Sequence, residues 1–250
     1  TLDWDGDASI SVTDAVGILL WSFTDGPAHA LGVDCVRLDG CPDACARDSF
    51  STTVTEAGSY LRVQNADGAT LLTDHFPSSF LVGRSPGAFL SERRNYFAFD
   101  LSELDGDVVS ARIRIFSNFE TTKCAHRDDF GCGYASDDES EVFELRSLDV
   151  ASDRLVRSDP KEFEEIFEDL GDGAALGSVE MTRDDVDVWL DVELRSEALD
   201  EIRESAARGG TWAVGGWIRT LSENLSRREW LFVDHLLPIV IAPELVIERR

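Results

Sequence analysis

The 250-residue chain is strongly acidic, with 49 aspartate and glutamate residues against 23 lysine and arginine residues and a formal net charge of −26. Phosphate backbones and anionic membrane surfaces repel such a chain, so the charge argues against nucleic acid and lipid surfaces as partners. Its apolar runs fall well short of the roughly 18 residues that a spanning helix needs, so we expect no transmembrane segment. A hydrophobic content of 43% predicts a folded, globular protein.

The first 50 residues differ in composition from the rest of the chain. They contain an acidic loop, an apolar stretch over residues 14–23 that predicts a helix, and a stretch rich in glycine, proline and cysteine over residues 25–45. So small a segment has too little apolar surface to fold alone without metal or disulfide bonds. We therefore predict two parts, a small segment over residues 1–50 and a main domain over residues 51–250.

The acidic loop has oxygen-bearing residues at the spacing of an EF-hand calcium loop. Such a loop wraps around a hard cation and supplies oxygens from loop positions 1, 3, 5, 7, 9 and 12. Counted from the first aspartate, these positions are Asp3, Asp5, Asp7, Ser9, Ser11 and Asp14. Two positions differ from the usual loop, because Ala8 stands where glycine makes the sharp turn and Asp14 replaces a bidentate glutamate. We expect calcium here, with a solvated acidic tail as the alternative.

The order Asp-x-Asp-x-Asp, then Ser-Ile-Ser-Val-Thr-Asp-Ala and an apolar helix, resembles a dockerin-type calcium repeat. The cysteine-bearing stretch that follows resembles the tails of such repeats in secreted bacterial proteins, so the resemblance covers residues 1–45. In that family aspartate is normal at the twelfth loop position, and the resemblance therefore supports Asp14 as a ligand. True dockerins carry two paired repeats, and residues 34–39 lack the ligand spacing, so the resemblance does not extend to cohesin docking.

The five cysteines fall into two clusters, Cys35, Cys41 and Cys45, then Cys124 and Cys132. Clusters of this kind without paired histidines favour disulfides over zinc sites, and disulfides indicate an oxidising compartment. We therefore expect an exported protein that is extracellular, at the cell surface or periplasmic. The favoured pairing joins Cys124 to Cys132, with a second bond inside the first cluster; the fifth thiol is left without an assigned partner.

From about residue 51 the sequence alternates apolar and polar residues, as half-buried strands do. In residues 108–116, for example, one face carries Val109, Ala111, Ile113 and Ile115, while Arg112 and Arg114 share the other. In chain order the predicted strands cover residues 52–56, 60–63, 80–82, 95–100, 108–116, 142–148, 186–194, 211–218, 230–233 and 245–248.

Two helices are predicted among these strands. The first covers residues 160–170, with Pro160 near its start and Gly171 after its end, and its predicted apolar face carries Phe163, Ile166, Phe167 and Leu170. The second covers residues 196–208, with Ser196 as the N-cap candidate. Many short strands without strand–helix alternation favour a mainly β fold, an antiparallel jelly-roll β-sandwich with two short helical inserts. Residues 94–102 and 108–116 also resemble segments of secreted bacterial β-sandwich modules, which implies such a module but no particular activity.

The residues that could perform chemistry form no catalytic pattern. The histidines, His29, His75, His126 and His235, are scattered without metal-ligand or triad spacing. With 49 acidic residues present, no single carboxylate pair indicates glycosidase chemistry. We therefore expect a protein that is not an enzyme, with a polysaccharide-active enzyme as the most remote alternative.

Two other features could bind a ligand. Trp189 lies on the polar face of its predicted strand, and Trp217 follows a Gly-Gly pair, so either indole could stack on a sugar ring, although packing is the commoner role. In the loop over residues 127–141, Asp137, Asp138 and Glu139 could bind a second cation, with a solvated, disulfide-closed loop as the favoured interpretation.

Taken together, these patterns predict an extracellular, calcium-binding structural or assembly subunit with a protein partner. A carbohydrate-binding module that engages a polysaccharide is the alternative.

Overall fold

The computed structural model describes residue 16 and residues 48–87, 89–117, 133–185, 187–232 and 241–250. The chain divides into two compact units, Thr1–Asp48 with Arg250 and Ser49–Arg249. The predicted calcium loop and all five cysteines lie outside the described residues, so the calcium ligands and the disulfides stay predictions. Within the described residues, no helix has both the length and the apolar character that a membrane span requires.

The Ser49–Arg249 unit is mainly β, and all its ladders are antiparallel. The described strands are β1 (Asp48–Gln64), β2 (Thr70–Pro77), β3 (Val82–Ser85), β4 (Leu90–Asp100), β5 (Val108–Ser117), β6 (Tyr134–Ser136), β7 (Ser140–Arg146), β8 (Ala175–Thr182), β9 (Val188–Glu193), β10 (Thr211–Ile218), β11 (Glu229–Leu231) and β12 (Glu244–Arg249). The described helices of the unit are α1 (Ser152–Arg157), α2 (Phe163–Asp172) and α3 (Ser196–Ala207), with a 3-10 turn over Pro160–Glu162.

The strands form a large and a small sheet. In the large sheet β4 pairs with β1 on one side and with β3 and β10 on the other; β10 continues to β7 and β8, and β3 continues to β11 and β6. In the small sheet β5 lies between β9 and β12. The sheets are joined at both edges, because the Val54 N–H donates to the Pro243 carbonyl at 2.8 Å and Gly177 forms a bridge with Leu194.

Both sheets contribute to one apolar core. Phe97 and Phe99 of β4 are buried there together with Ile113 and Ile115 of β5. The predicted alternation is confirmed from Ala111 onward, since the apolar positions are buried and the arginines between them are partly exposed. It is wrong at Val109, because Val108 is the buried residue and the pairing with β12 shifts register there. Burial of one face by the second sheet is what fixes this register, because a slip by one residue would turn the apolar side chains to solvent.

Helix α2 covers the other face of the large sheet. Asp159 and Glu162 form a capping box at the preceding turn, which Pro160 starts. The predicted apolar face of the helix is confirmed: Ile166, Phe167 and Leu170 are fully buried with two strand tyrosines in a second apolar cluster. Helix α3 buries Ala198 and Ile202 in the main core.

Several elements differ from the predicted ones. β1 is a single 17-residue strand rather than two short strands, because the Ala57-Gly58-Ser59 stretch hides its alternation. Gly58 is required there, since a Cβ atom would lie 2.7 Å from the Tyr96 ring. β2, β6, β8 and α1 were not predicted. β2 shows no apolar–polar alternation because most of it is exposed or half-buried at a sheet edge.

Candidate functional site

Three carboxyl groups, those of Asp138, Glu141 and Glu229, meet at one end of the large sheet. Each offers an oxygen that lies within 4.8 Å of the others. Glu141 and Glu229 are fully buried, and Asp138 is partly buried. Buried carboxylates are rare unless they are paired with cations or bound to metals, so this acidic cluster is the candidate site of the described chain.

The fold brings these residues together from distant parts of the sequence. Asp138 lies in the turn after β6, Glu141 is the second residue of β7, and Glu229 begins β11. β11 lies between β6 and β3, with Glu229 opposite Ser136 and Arg84. The pairing of β6 with β11 therefore closes a separation of about ninety residues and places Glu229 beside the turn that carries Asp138.

Hydrogen bonds fix most of the oxygens of the acidic cluster. The hydroxyls of Ser136 and Thr220 donate to the two oxygens of Glu141, and the guanidinium of Arg227 pairs with Asp138. The Ser222 backbone N–H donates to Glu229 Oε1 at 2.7 Å. The second oxygen, Glu229 Oε2, is buried and accepts no hydrogen bond from the part of the chain that the structure describes.

The electrostatics of the cluster oppose a charged Glu229. Burial raises the pKa of Glu229 to about 7, against the lowering effect of the Ser222 N–H; the negative charge of Glu141 raises this pKa further, and Arg84 lowers it. Arg84 is also engaged elsewhere, with Ser222 O at 2.8 Å and Glu92 at 3.2 Å. The cluster thus combines three carboxyl groups with hydroxyl oxygens, a set that suits a hard cation.

The three carboxylates named for a second cation, Asp137, Asp138 and Glu139, lie in different surroundings. Of the three, Asp138 alone belongs to the acidic cluster. Asp137 accepts the Arg228 backbone N–H at 3.0 Å, and Glu139 is exposed. The favoured interpretation, a solvated loop, is wrong for Glu141, which is fully buried because β7 begins inside the sheet.

The two tryptophans proposed for ligand stacking lie on different sheets. Trp189, on β9 of the small sheet, is 37% exposed. The Arg114 guanidinium lies 4.8 Å from its ring centroid and the Phe116 ring lies 5.5 Å away in an edge arrangement. Trp217, on β10 of the large sheet, is partly buried, with Arg146 at 5.1 Å from its ring and its N–H donating to Glu144 at 3.3 Å. The two rings therefore cannot form one stacking platform.

His75, the one histidine among the described residues, lies in an aromatic cluster. Its ring stacks on Tyr60 with centroids 4.5 Å apart, and its Nε2 is 3.1 Å from the Tyr96 hydroxyl. Burial lowers the pKa of His75, while the nearby Asp74 charge raises it. These contacts give His75 a role in packing.

Strand β2 is an outer edge of the large sheet, and within the described residues it pairs with β1 alone. Leu71 and Leu72 on this strand are 54% and 51% exposed, and Phe89 is 53% exposed. Gln64 of β1 is paired on one side with the start of β2 and on the other with the start of β4, which Phe89 precedes in the chain. We call these three residues the apolar corner.

No protein-family model matches the chain, and no curated protein matches it. The resemblances to dockerin repeats and to secreted β-sandwich modules therefore stay predictions.

Proposed function

We propose that this protein is an exported, non-enzymatic structural or assembly subunit that combines a jelly-roll β-sandwich with a calcium-binding N-terminal segment. The observation that supports an assembly role is the apolar corner beside the open edge of β2. An open strand edge offers backbone N–H and carbonyl groups to another chain, and exposed apolar side chains next to it add area to bury. Two antiparallel sheets around one core support the jelly-roll assignment.

The partner is an extended segment of a different, less acidic protein. With a net charge of −26, two copies of this chain repel one another, so self-pairing along β2 is disfavoured. A strand added to β2 gains main-chain hydrogen bonds, and its alternate side chains can cover Leu71 or Leu72.

The proposal is tested on the native protein purified from its source, by size-exclusion chromatography with light scattering and by hydrogen exchange. We expect a mass above the 27.6 kDa of one chain and slow exchange along Thr70–Pro77. Leu72→Lys should abolish the assembly, because it puts a charge on the pairing edge. Leu225→Lys is the control: it changes a leucine of 54% exposure between β10 and β11, and it should leave the assembly intact.

A native protein that elutes as a monomer contradicts the assembly role. An assembly that survives Leu72→Lys contradicts pairing at β2.

Carbohydrate binding is the second candidate, and the exposed indole of Trp189 favours it. Asp191, 3.1 Å from Arg114, supplies polar groups beside the ring. Affinity electrophoresis in gels that contain neutral polysaccharides tests this alternative. Retardation that Trp189→Ala removes would support it, and unretarded migration in every gel would exclude it for those polymers.

A further inference from the structure

We propose that Asp138, Glu141 and Glu229 bind a hard divalent cation of the calcium class. This site lies in the β-sheet unit and is separate from the predicted N-terminal loop. It goes beyond the assembly role, because it concerns residues at the β6–β11 end of the large sheet rather than the β2 edge.

The ligand chemistry points to an alkaline-earth ion. The side chains that could serve as ligands here all offer oxygen: three carboxyl groups and the hydroxyls of Ser136 and Thr220. Calcium takes such ligands at about 2.3–2.6 Å, so oxygens on opposite sides of one ion lie about 5 Å apart. One carboxyl oxygen from each of the three residues lies within 4.8 Å of the other two, which is compatible with one shared ion.

The second, independent observation is the buried oxygen Glu229 Oε2. Glu229 is fully buried and its Oε1 accepts a hydrogen bond from the Ser222 N–H, while no described residue donates a hydrogen bond to its Oε2. An unpartnered oxygen of a buried carboxylate costs free energy, and native proteins rarely leave one without a proton, water or cation. A bound cation supplies the missing partner and neutralises the excess negative charge.

The neighbouring cations do not fully replace such an ion. Arg227 pairs with Asp138, and Arg183 donates to the Ser136 carbonyl at 3.1 Å. The positive charge of Arg84 lowers the pKa of Glu229, but the same guanidinium also pairs with Glu92 at 3.2 Å. Among the described residues, the three carboxyl groups therefore have one direct guanidinium partner, Arg227, and a share of a second, Arg84. The competing occupant is a proton shared between Glu229 and Asp138.

The site would join segments that are far apart in sequence. The ligands come from the β6–β7 turn, from β7 and from β11, while Thr220 and Ser222 connect the β10–β11 loop to the same carboxyl groups. A cation would therefore hold this end of the sheet together, because binding to the folded arrangement alone stabilises it.

The experiment uses the full chain with Asp5→Ala, which removes a ligand of the N-terminal loop. Calcium is removed by chelation, and calcium binding is then measured by calorimetry. We expect one calcium per chain, lost when Glu229→Gln is added and kept when Glu139→Gln, an exposed carboxyl of the same turn, is added instead. Glutamine matches glutamate in shape, and Asp138→Asn is the second variant if Glu229→Gln fails to fold.

Terbium luminescence gives an independent readout. The Tyr134 hydroxyl donates to the Asp138 carbonyl at 2.9 Å, so its ring should sensitise an ion bound at the acidic cluster. Excitation of the aromatic residues should give terbium emission that calcium displaces and that Glu229→Gln abolishes.

The proposal is overturned if the Asp5→Ala chain binds no calcium, or binds it equally with and without Glu229→Gln. It is also overturned if Glu229→Gln raises the melting temperature while calcium stabilises neither chain, because the occupant is then a proton.

Discussion

Two groups of charged residues in the large sheet differ in how their charges are matched. Around Arg94, the guanidinium donates to Glu92 at 3.1 Å and to the Phe167 carbonyl at 2.9 Å, and it stacks on the Phe167 ring at 4.4 Å. Glu92 also binds Arg84, and Glu168 pairs with Arg62. This arginine network has an opposite charge beside each charge. The acidic cluster has three carboxyl groups and one direct guanidinium partner.

The difference shows what each group requires to remain folded. Burying ions is tolerated when opposite charges and hydrogen bonds replace the lost water, and the arginine network does this with its own residues. The acidic cluster leaves Glu229 Oε2 without a partner, so its stability depends on something from solution, whether a cation or a proton. Removing a charge should therefore have opposite effects in the two groups.

The largest effect is expected for Arg94→Met. This change removes one of the two guanidinium partners of the buried Glu92 and the donor to the Phe167 carbonyl. Losing a partner of a buried charge typically costs about 3–5 kcal/mol of the free energy of unfolding. Urea denaturation at constant calcium measures this loss of the free energy of unfolding. Arg154→Met, which removes an exposed partner of Glu162, is the control and should cost only a small fraction of that loss. Equal losses in the two variants would show that the network is not a buried one.

A smaller effect of opposite sign is expected for Glu229→Gln in calcium-free buffer above about pH 8. The change removes an ionised carboxylate that lacks a partner, so the free energy of unfolding should rise by about 1–2 kcal/mol. Chemical denaturation in the presence of a chelator compares the free energy of unfolding of this variant with that of the wild type. Glu139→Gln, which changes an exposed carboxyl group, is the control. A loss of stability in both chelator and calcium would mean that the acidic cluster is satisfied by its own residues.

The smallest effect concerns His75, a partly buried base. Its pKa is lowered in the folded state by burial, so between that pKa and the ordinary value of 6.5 the unfolded chain binds more protons. The stability contribution of His75 is therefore complete above about pH 6.5 and decreases as the pH falls below it. Asp74 opposes this shift, while Tyr60 and Tyr96 face the ring.

His75→Gln should flatten this part of the pH dependence, measured by urea denaturation at about pH 5.5 and about pH 8. Parallel pH profiles of wild type and variant would contradict it.

Local patterns predicted much of the fold. The buried faces of strand β5 and helix α2 were largely identified from the sequence. Each element packs against the core with one face only, so its apolar residues recur every two residues in the strand and every 3.6 residues in the helix. β2 and β8 were missed. β2 lies at an edge where exposure does not alternate, and β8 carries small residues at Gly177 and Ser178 that weaken its pattern.

The candidate site was predicted only at Asp138. The sequence marked the acidic turn over residues 137–139, but two of those three carboxyl groups lie outside the acidic cluster. Glu229 carries no local signal, because its neighbours predict a short apolar strand and nothing links it to the turn. A glutamate at the start of a buried strand is the one feature that could have raised suspicion.

The sequence by itself determined most of the strands, two of the helices and several of their buried faces, because these depend on the spacing of neighbouring side chains. It also determined the acidic surface, which follows from composition. Only the tertiary structure decided which charges meet. The pairing of β6 with β11 places Glu229 opposite Ser136, and the pairing of β3 with β4 places Arg84 opposite Glu92. Strand pairing joins residues that are distant in the chain, so the balance of charge at each end of the sheet is a property of the fold.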